Sequence, residues 1–238
     1  MAQGSEQICE AYLAAPQRWE QEGLKTVSTD EKTGMQALSR NAPDLPLKVG
    51  QVCRQEYEYT RHGTLCLIAN LDVSEGTIIS PSIGQTRNEQ DFKEHISRTV
   101  ASDPLVKKWL FVVDNLNTHQ SESLVVWVAE LAGLPIDCLG IKGKNGILKT
   151  MASRALFLQD PAHQVCFLYT APADRPKHCS WLNQIEIWFG ILSRKLLRRG
   201  NFVSQADLKA QLEEFIAYFN AVLAKPFKWT HNGKPCRT

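Results

Sequence analysis

The sequence predicts an α/β protein built on one mixed sheet, an antiparallel three-strand meander followed by parallel strands, with helices on its faces. Two observations carry this reading. Residues 64–73 and 77–81 are strand-like runs joined by the turn Ser74-Glu75-Gly76, the signature of a hairpin. From Asn88 onward, stretches with helical spacing alternate with short apolar runs, as expected for helices laid over parallel strands.

Taken in order, a short helical piece over residues 8–15 is expected to stop at Pro16, which lacks a backbone N–H. Residues 24–29 form the first strand, and residues 35–39 either pair nearby or continue it beyond a turn at Thr33-Gly34. Pro43 and Pro46 mark residues 41–49 as a loop. After the hairpin, Asn88 caps a helix over residues 89–101 that carries Phe92, Ile96 and Val100 on one face. Residues 109–113 are apolar throughout, like a strand covered on both sides. Ser121 caps the next helix, with Leu124, Val125, Val128 and Leu131 at helical spacing and Gly133 closing it. A strand at 165–169 and helices at 181–198 and 204–221 complete the chain.

The composition is that of an ordinary globular protein: 238 residues, 43% hydrophobic, net charge +2. No apolar run approaches the roughly 20 residues that span a bilayer, and the first residues lack the basic and apolar regions of a signal peptide. No membrane association and a cytoplasmic location are therefore expected. The 7 cysteines are scattered without a C-x-x-C pair, which argues for reduced thiols rather than zinc or redox work. Basic residues crowd the last quarter, where a phosphate backbone or simply water could face them.

Three carboxylates stand out. Asp30 follows the first strand, Asp114 follows the buried run, and Glu186 borders the apolar stripe Leu182, Ile185, Phe189, Leu192 and Leu196. Oxygen ligands without histidine or thiolate suit hard cations such as Mg²⁺, which keep positions open for phosphate. Two such ions about 3.5–4 Å apart can activate one oxygen and stabilise another. Each residue also has a plainer reading: Asp114 as an Asx turn or helix cap, Asp30 as a surface turn, Glu186 as the partner of a basic side chain. Glu31 competes with Asp30, because alternation along a strand lets only one of them share the ligands' face. Asn115, Asn117 and His119 make the loop after Asp114 unusually rich in hydrogen-bonding groups, and Asn183 lies one turn before Glu186.

In three long words the chain resembles the DDE-type transposases of bacterial insertion sequences, in the mariner-related branch. These are residues 29–38 (TDEKTGMQAL), 111–119 (FVVDNLNTH) and 178–189 (HCSWLNQIEIWF), with further similarity at 198–202 and 224–227. The resemblance implies a ribonuclease H-like fold and a catalytic, metal-binding triad of Asp30, Asp114 and Glu186 holding two Mg²⁺ or Mn²⁺ ions. Asn115, Asn117, His119 and Asn183 would support that site. It further implies double-stranded DNA, at element ends and target, as partner, and cleavage followed by strand transfer. Arg194, Lys195, Arg198 and Arg199 would lie against the DNA, and synapsis of two ends implies a homodimer on DNA.

The chain departs from that pattern twice. Asp114 and Glu186 stand about twice as far apart as in many relatives, which marks residues 135–162 as an insertion; its Lys142 and Lys144 would meet DNA or water. Such transposases also carry helix-turn-helix modules before the catalytic domain, whereas residues 1–23 suffice only for a helical remnant. The expected organisation is that remnant, a catalytic domain over 24–222 and a tail over 223–238. A ribonuclease H-like nuclease without strand transfer, or a silent DNA-binding remnant, are the alternatives.

Overall fold

The computed structural model describes residues 2–43, 49–50, 52, 56, 58–170 and 182–230. Among them five strands, β1 (Leu24–Arg40), β2 (Tyr59–Asp72), β3 (Ile78–Gly84), β4 (Lys108–Val113) and β5 (Val165–Tyr169), form one sheet in the order β3-β2-β1-β4-β5. β1, β2 and β3 are the antiparallel meander, and β4 and β5 run parallel to β1, as the sequence predicts.

Among the described residues six α-helices cover the two faces: α1 (Ala2–Glu22), α2 (Glu89–Ser102), α3 (Glu122–Leu131), α4 (Met151–Leu158), α5 (Ile185–Leu192) and α6 (Gln205–Tyr218). On one face Val27, Phe111, Val113 and Phe167 pack with Phe92, Ile96, Leu124 and Val128. On the other, Leu67, Ala69 and Leu71 meet Ile185, Trp188, Leu208 and Leu212, while Val112 meets Ile8, Tyr12 and Leu182. Burying each such aliphatic or aromatic side chain contributes about 1.5–3 kcal/mol, so both layers are needed to hold the sheet.

Local signals account for most helix starts. Asn88 accepts hydrogen bonds from the N–H groups of Gln90 and Asp91, and Asp91 answers the Asn88 N–H in a capping box. Ser121 accepts from the Leu124 N–H and Ser204 from the Asp207 N–H.

Two expectations about element bounds are corrected, at Pro16 and over residues 181–198, and of the two readings of residues 35–39 the continuation of the first strand holds. Pro16 lies inside α1 instead of ending it. Trp19 beyond it packs on the core and takes the Lys25 ammonium over its ring at 4.8 Å, and such contacts offset the roughly 3 kcal/mol cost of an interior proline. β1 runs on through the Thr33-Gly34 turn, which becomes a bulge: the pairing with β2 shifts between Lys32 and Met35, with Gly34 at φ 65°. The helix over 181–198 is α5 continued by a π-helical turn at Ser193–Leu197. Trp181 and the segment His178–Trp181, like Arg175 and Lys177, lie outside the described residues.

Residues 135–162 pack into the core. Two 3-10 turns (Ile136–Leu139 and Ile147–Lys149) and α4 place Leu139, Leu148, Ala155 and Leu158 in the core. The N-terminal helix is likewise integrated, since the Tyr12 hydroxyl donates to the Leu182 carbonyl at 3.0 Å. Among the described cysteines, Cys9 and Cys166 are buried, Cys138 is exposed, and none forms a disulfide. No helix among the described residues is long and apolar enough to cross a membrane.

Candidate metal centre

The sheet brings Asp30 and Asp114 together. β1 and β4 pair in parallel with Ser28 opposite Val112; Asp30 lies two residues further along β1 and Asp114 directly after the end of β4, near enough for its charge to act on Asp30. Asp30 is 6% exposed. Its Oδ1 accepts the Glu31 N–H at 2.7 Å and its Oδ2 an N–H of Asn183 at 3.1 Å. Burial and then the neighbouring Asp114 charge push its carboxyl up to about 7, against the smaller lowering by the Glu31 N–H and His119. A carboxylate so placed gains most from a cation.

Asp114 is held from its own loop. The Leu116 N–H donates to its Oδ1 at 3.1 Å, and His119 Nδ1 stands 2.8 Å from the same oxygen and 3.1 Å from the Asp114 carbonyl. His119 is fully buried, tilted against the Phe92 ring at 4.2 Å between centroids. Its other nitrogen, Nε2, meets Glu31 Oε1 at 3.2 Å. Burial opposes charge on this imidazole, but hydrogen bonds to Asp114 and Glu31 outweigh it and raise its pKa to about 10.

Glu186 sits in the first turn of α5 with an exposed side chain. Its helix start is anchored directly over Asp30. Asn183, fully buried, donates to the Thr29 carbonyl at 2.9 Å and to Asp30, and the Ser28 hydroxyl, which donates to Asn183 Oδ1, accepts the Ile185 N–H at 3.0 Å. Ser28 and Asp30 share the α5 face of β1, whereas Thr29 and Glu31 face α2 and the His119 loop.

The remaining supporting residues divide. Asn115 accepts a hydrogen bond from the Gln120 amide, which ties the loop to itself. Asn117 is exposed and begins a 3-10 turn at Asn117–Gln120. Arg194, Lys195, Arg198 and Arg199 are all exposed, the first two on the π-helical turn that extends α5 and the last two just after it. Lys142 and Lys144 are exposed too, Lys142 lying 3.7 Å from Glu122.

The donor set suits a hard divalent cation: all oxygen, one carboxylate on β1, a second directly after β4 and a third at a helix start. Among the described residues no three His, Cys, Asp or Glu side chains stand close enough together to enclose an ion. Asp30 and Asp114 are the near pair, and Glu186 is the open member. Sequence reasoning treated Glu31 as a rival ligand and passed over Ser28. The alternation of β1 was the signal for both, since it turns Glu31 toward His119 and Ser28 toward Asn183.

The family model described as DDE superfamily endonuclease matches residues 25–209. No curated protein matches. A crystal structure of the Mos1 mariner paired end complex with Mn aligns at 16% identity and a TM-score of 0.50, over 91% of this chain and 55% of that one. One of the catalytic domain of Mos1 mariner transposase aligns at 13% identity and a TM-score of 0.45, over 91% and 82%. The first likeness and the strand order together make the fold ribonuclease H-like. The chain spans about half the length of the Mos1 chain in the paired end complex.

Proposed function

The chain belongs to the DDE superfamily endonuclease family, and from that premise we propose that it is a transposase catalytic domain that cuts DNA at element ends and joins the freed ends to target DNA. The observation supporting this most directly is the Asp30–Asp114 pair, one buried carboxyl raised to about 7 partly by the other's charge. Such a pair resembles a cation site more than a structural turn.

In this reading Asp30, Asp114 and Glu186 hold two Mg²⁺ or Mn²⁺ ions. When bound, these ions would activate the attacking oxygen and stabilise the leaving one. Asn183 keeps the Asp30 carboxylate turned toward the site, and His119 does the same for Asp114. The exposed Arg194, Lys195, Arg198 and Arg199 position the phosphate backbone of double-stranded DNA, with Lys142 and Lys144 as further contacts. Cleavage uses water as nucleophile and leaves a 3′-hydroxyl; in joining, that hydroxyl attacks a target phosphodiester and the target's own 3′-oxygen departs. Two copies of the chain on DNA would bring two ends together, in the cytoplasm of a bacterium.

The test is nicking of supercoiled plasmid with Mn²⁺, and joining of a pre-cleaved element end. Nicking that disappears in Asp114→Ala, together with joined products, is the expected outcome. Nicking without joined products would leave a nuclease. DNA retention with no cleavage under either metal would leave a silent binding remnant.

A further inference from the structure

We propose that Glu31 is a positioning residue for Asp114, acting through His119; this rests on the metal-dependent reading above. The dipeptide Asp30-Glu31 would then serve the site from both faces of β1, one carboxylate as ligand and the next as support for the second ligand.

The geometry is a buried bridge. His119 Nε2 lies 3.2 Å from Glu31 Oε1 and Nδ1 lies 2.8 Å from Asp114 Oδ1, with the side chains of Glu31 and His119 1% and 0% exposed. Carboxylates only accept, so the imidazole donates on both sides and carries a positive charge. Among the described residues the other Glu31 oxygen, Oε2, is buried without a hydrogen-bond partner, and His119 is the group that meets this carboxylate.

The imidazole cannot swing aside. Its ring lies against Phe92, and its backbone carbonyl accepts the Tyr169 hydroxyl at 2.9 Å. Orientation of a ligand by a second residue behind it is how metal sites fix their first ligands.

The experiment titrates Mn²⁺ into the whole chain, following free Mn²⁺ by electron paramagnetic resonance, for wild type, Glu31→Gln, Glu31→Ala and Asp114→Ala. Melting temperatures without metal and plasmid nicking are recorded in parallel. Glu31→Gln keeps shape and an acceptor while removing charge, so it remains informative where Glu31→Ala fails to fold. The expected result is Mn²⁺ binding weakened about 10–100-fold in Glu31→Ala and less in Glu31→Gln, with nicking falling alongside. A Glu31→Gln protein that melts lower but binds Mn²⁺ like wild type overturns the proposal and makes Glu31 merely structural. Absence of Mn²⁺ binding by wild type would sink the cleavage reading and this inference with it.

Discussion

Asn183 donates one hydrogen of its side-chain amide to Asp30 Oδ2 at 3.1 Å and reaches the Thr29 carbonyl at 2.9 Å, so a single buried amide seats the start of α5 on the strand that carries the first acid. Helix and sheet are registered at the site itself.

Removing that amide strands buried partners. Asn183→Ala is expected to cost about 1–3 kcal/mol, the usual penalty for unsatisfied buried groups, measured by urea denaturation. Asn183→Asp adds a carboxylate beside Asp30, and its melting temperature should fall further below wild type at pH 8 than at pH 5. An equal fall at both pH values would contradict the contact.

Asp30 sets a pH dependence of its own. Its folded pKa, raised by burial and Asp114 to about 7, exceeds the unfolded value, so its contribution to stability is complete below about pH 4 and lost as pH rises through 7. The loss runs at up to about 1.4 kcal/mol per pH unit in that window. Asp30→Asn should therefore be more stable than wild type at pH 8 and no more stable at pH 4. Mn²⁺, competing with the proton, should raise the wild-type melting temperature more at pH 8 than at pH 6.

His95 acts at the acid end. Burial, then the charges of Arg98 and His119, hold its pKa down to about 3, and its Nδ1 lies 2.6 Å from the Ser82 hydroxyl. The unfolded chain takes up this proton near pH 6.5 and the folded chain does not, so stability is lost as pH falls from 6.5 toward 3. His95→Gln should flatten that part of the melting curve against pH, and an unchanged slope would count against it.

A steric test lies away from the site. Gly76, at φ 73° in the turn between β2 and β3, is crossed by the chain at Lys225, whose carbonyl a Cβ would overlap. Asn220 grips the same turn, exchanging hydrogen bonds with the backbone N–H and carbonyl of Ile78, each at 2.8 Å. Gly76→Ala should lower the melting temperature and open residues 219–230 to limited proteolysis, while Gly34→Ala, with open space around it, should leave those residues protected.

If Arg198 and Arg199 meet phosphates, replacing both by Ala should reduce the slope of log affinity against log salt by about two, measured by fluorescence anisotropy on duplex DNA. A slope equal to that of wild type would place them in solvent.

Much of this was written in local chemistry. The hairpin, the apolar β4 and the caps Asn88 and Ser121 are short-range signals, and the structure places each where the sequence predicts it. What escaped is tertiary. Pro16 reads as a stop until Trp19 and Lys25 are seen packing beyond it. Thr33-Gly34 reads as a turn until β2 offers a partner that absorbs it. Arg154 looks like a solvated helix residue, yet it is buried and donates to the carbonyls of Gln120 and Leu148 at 2.6 and 2.9 Å, pinning residues 135–162 to the His119 loop. Glu31 and Asp30 look interchangeable in one dimension, and only the position of His119 tells them apart.

Because Asp30 lies on β1 and Asp114 directly follows β4, its paired neighbour, the two backbones cannot shift far relative to each other without tearing the middle of the protein. Glu186 rides on a helix joined to that platform through Ser28 and Asn183. If the three acids share a cation, Glu186 closes on the other two by rotation of its exposed side chain or by a slide of α5, with Asp30 and Asp114 as the fixed anvil and Glu186 as the moving jaw.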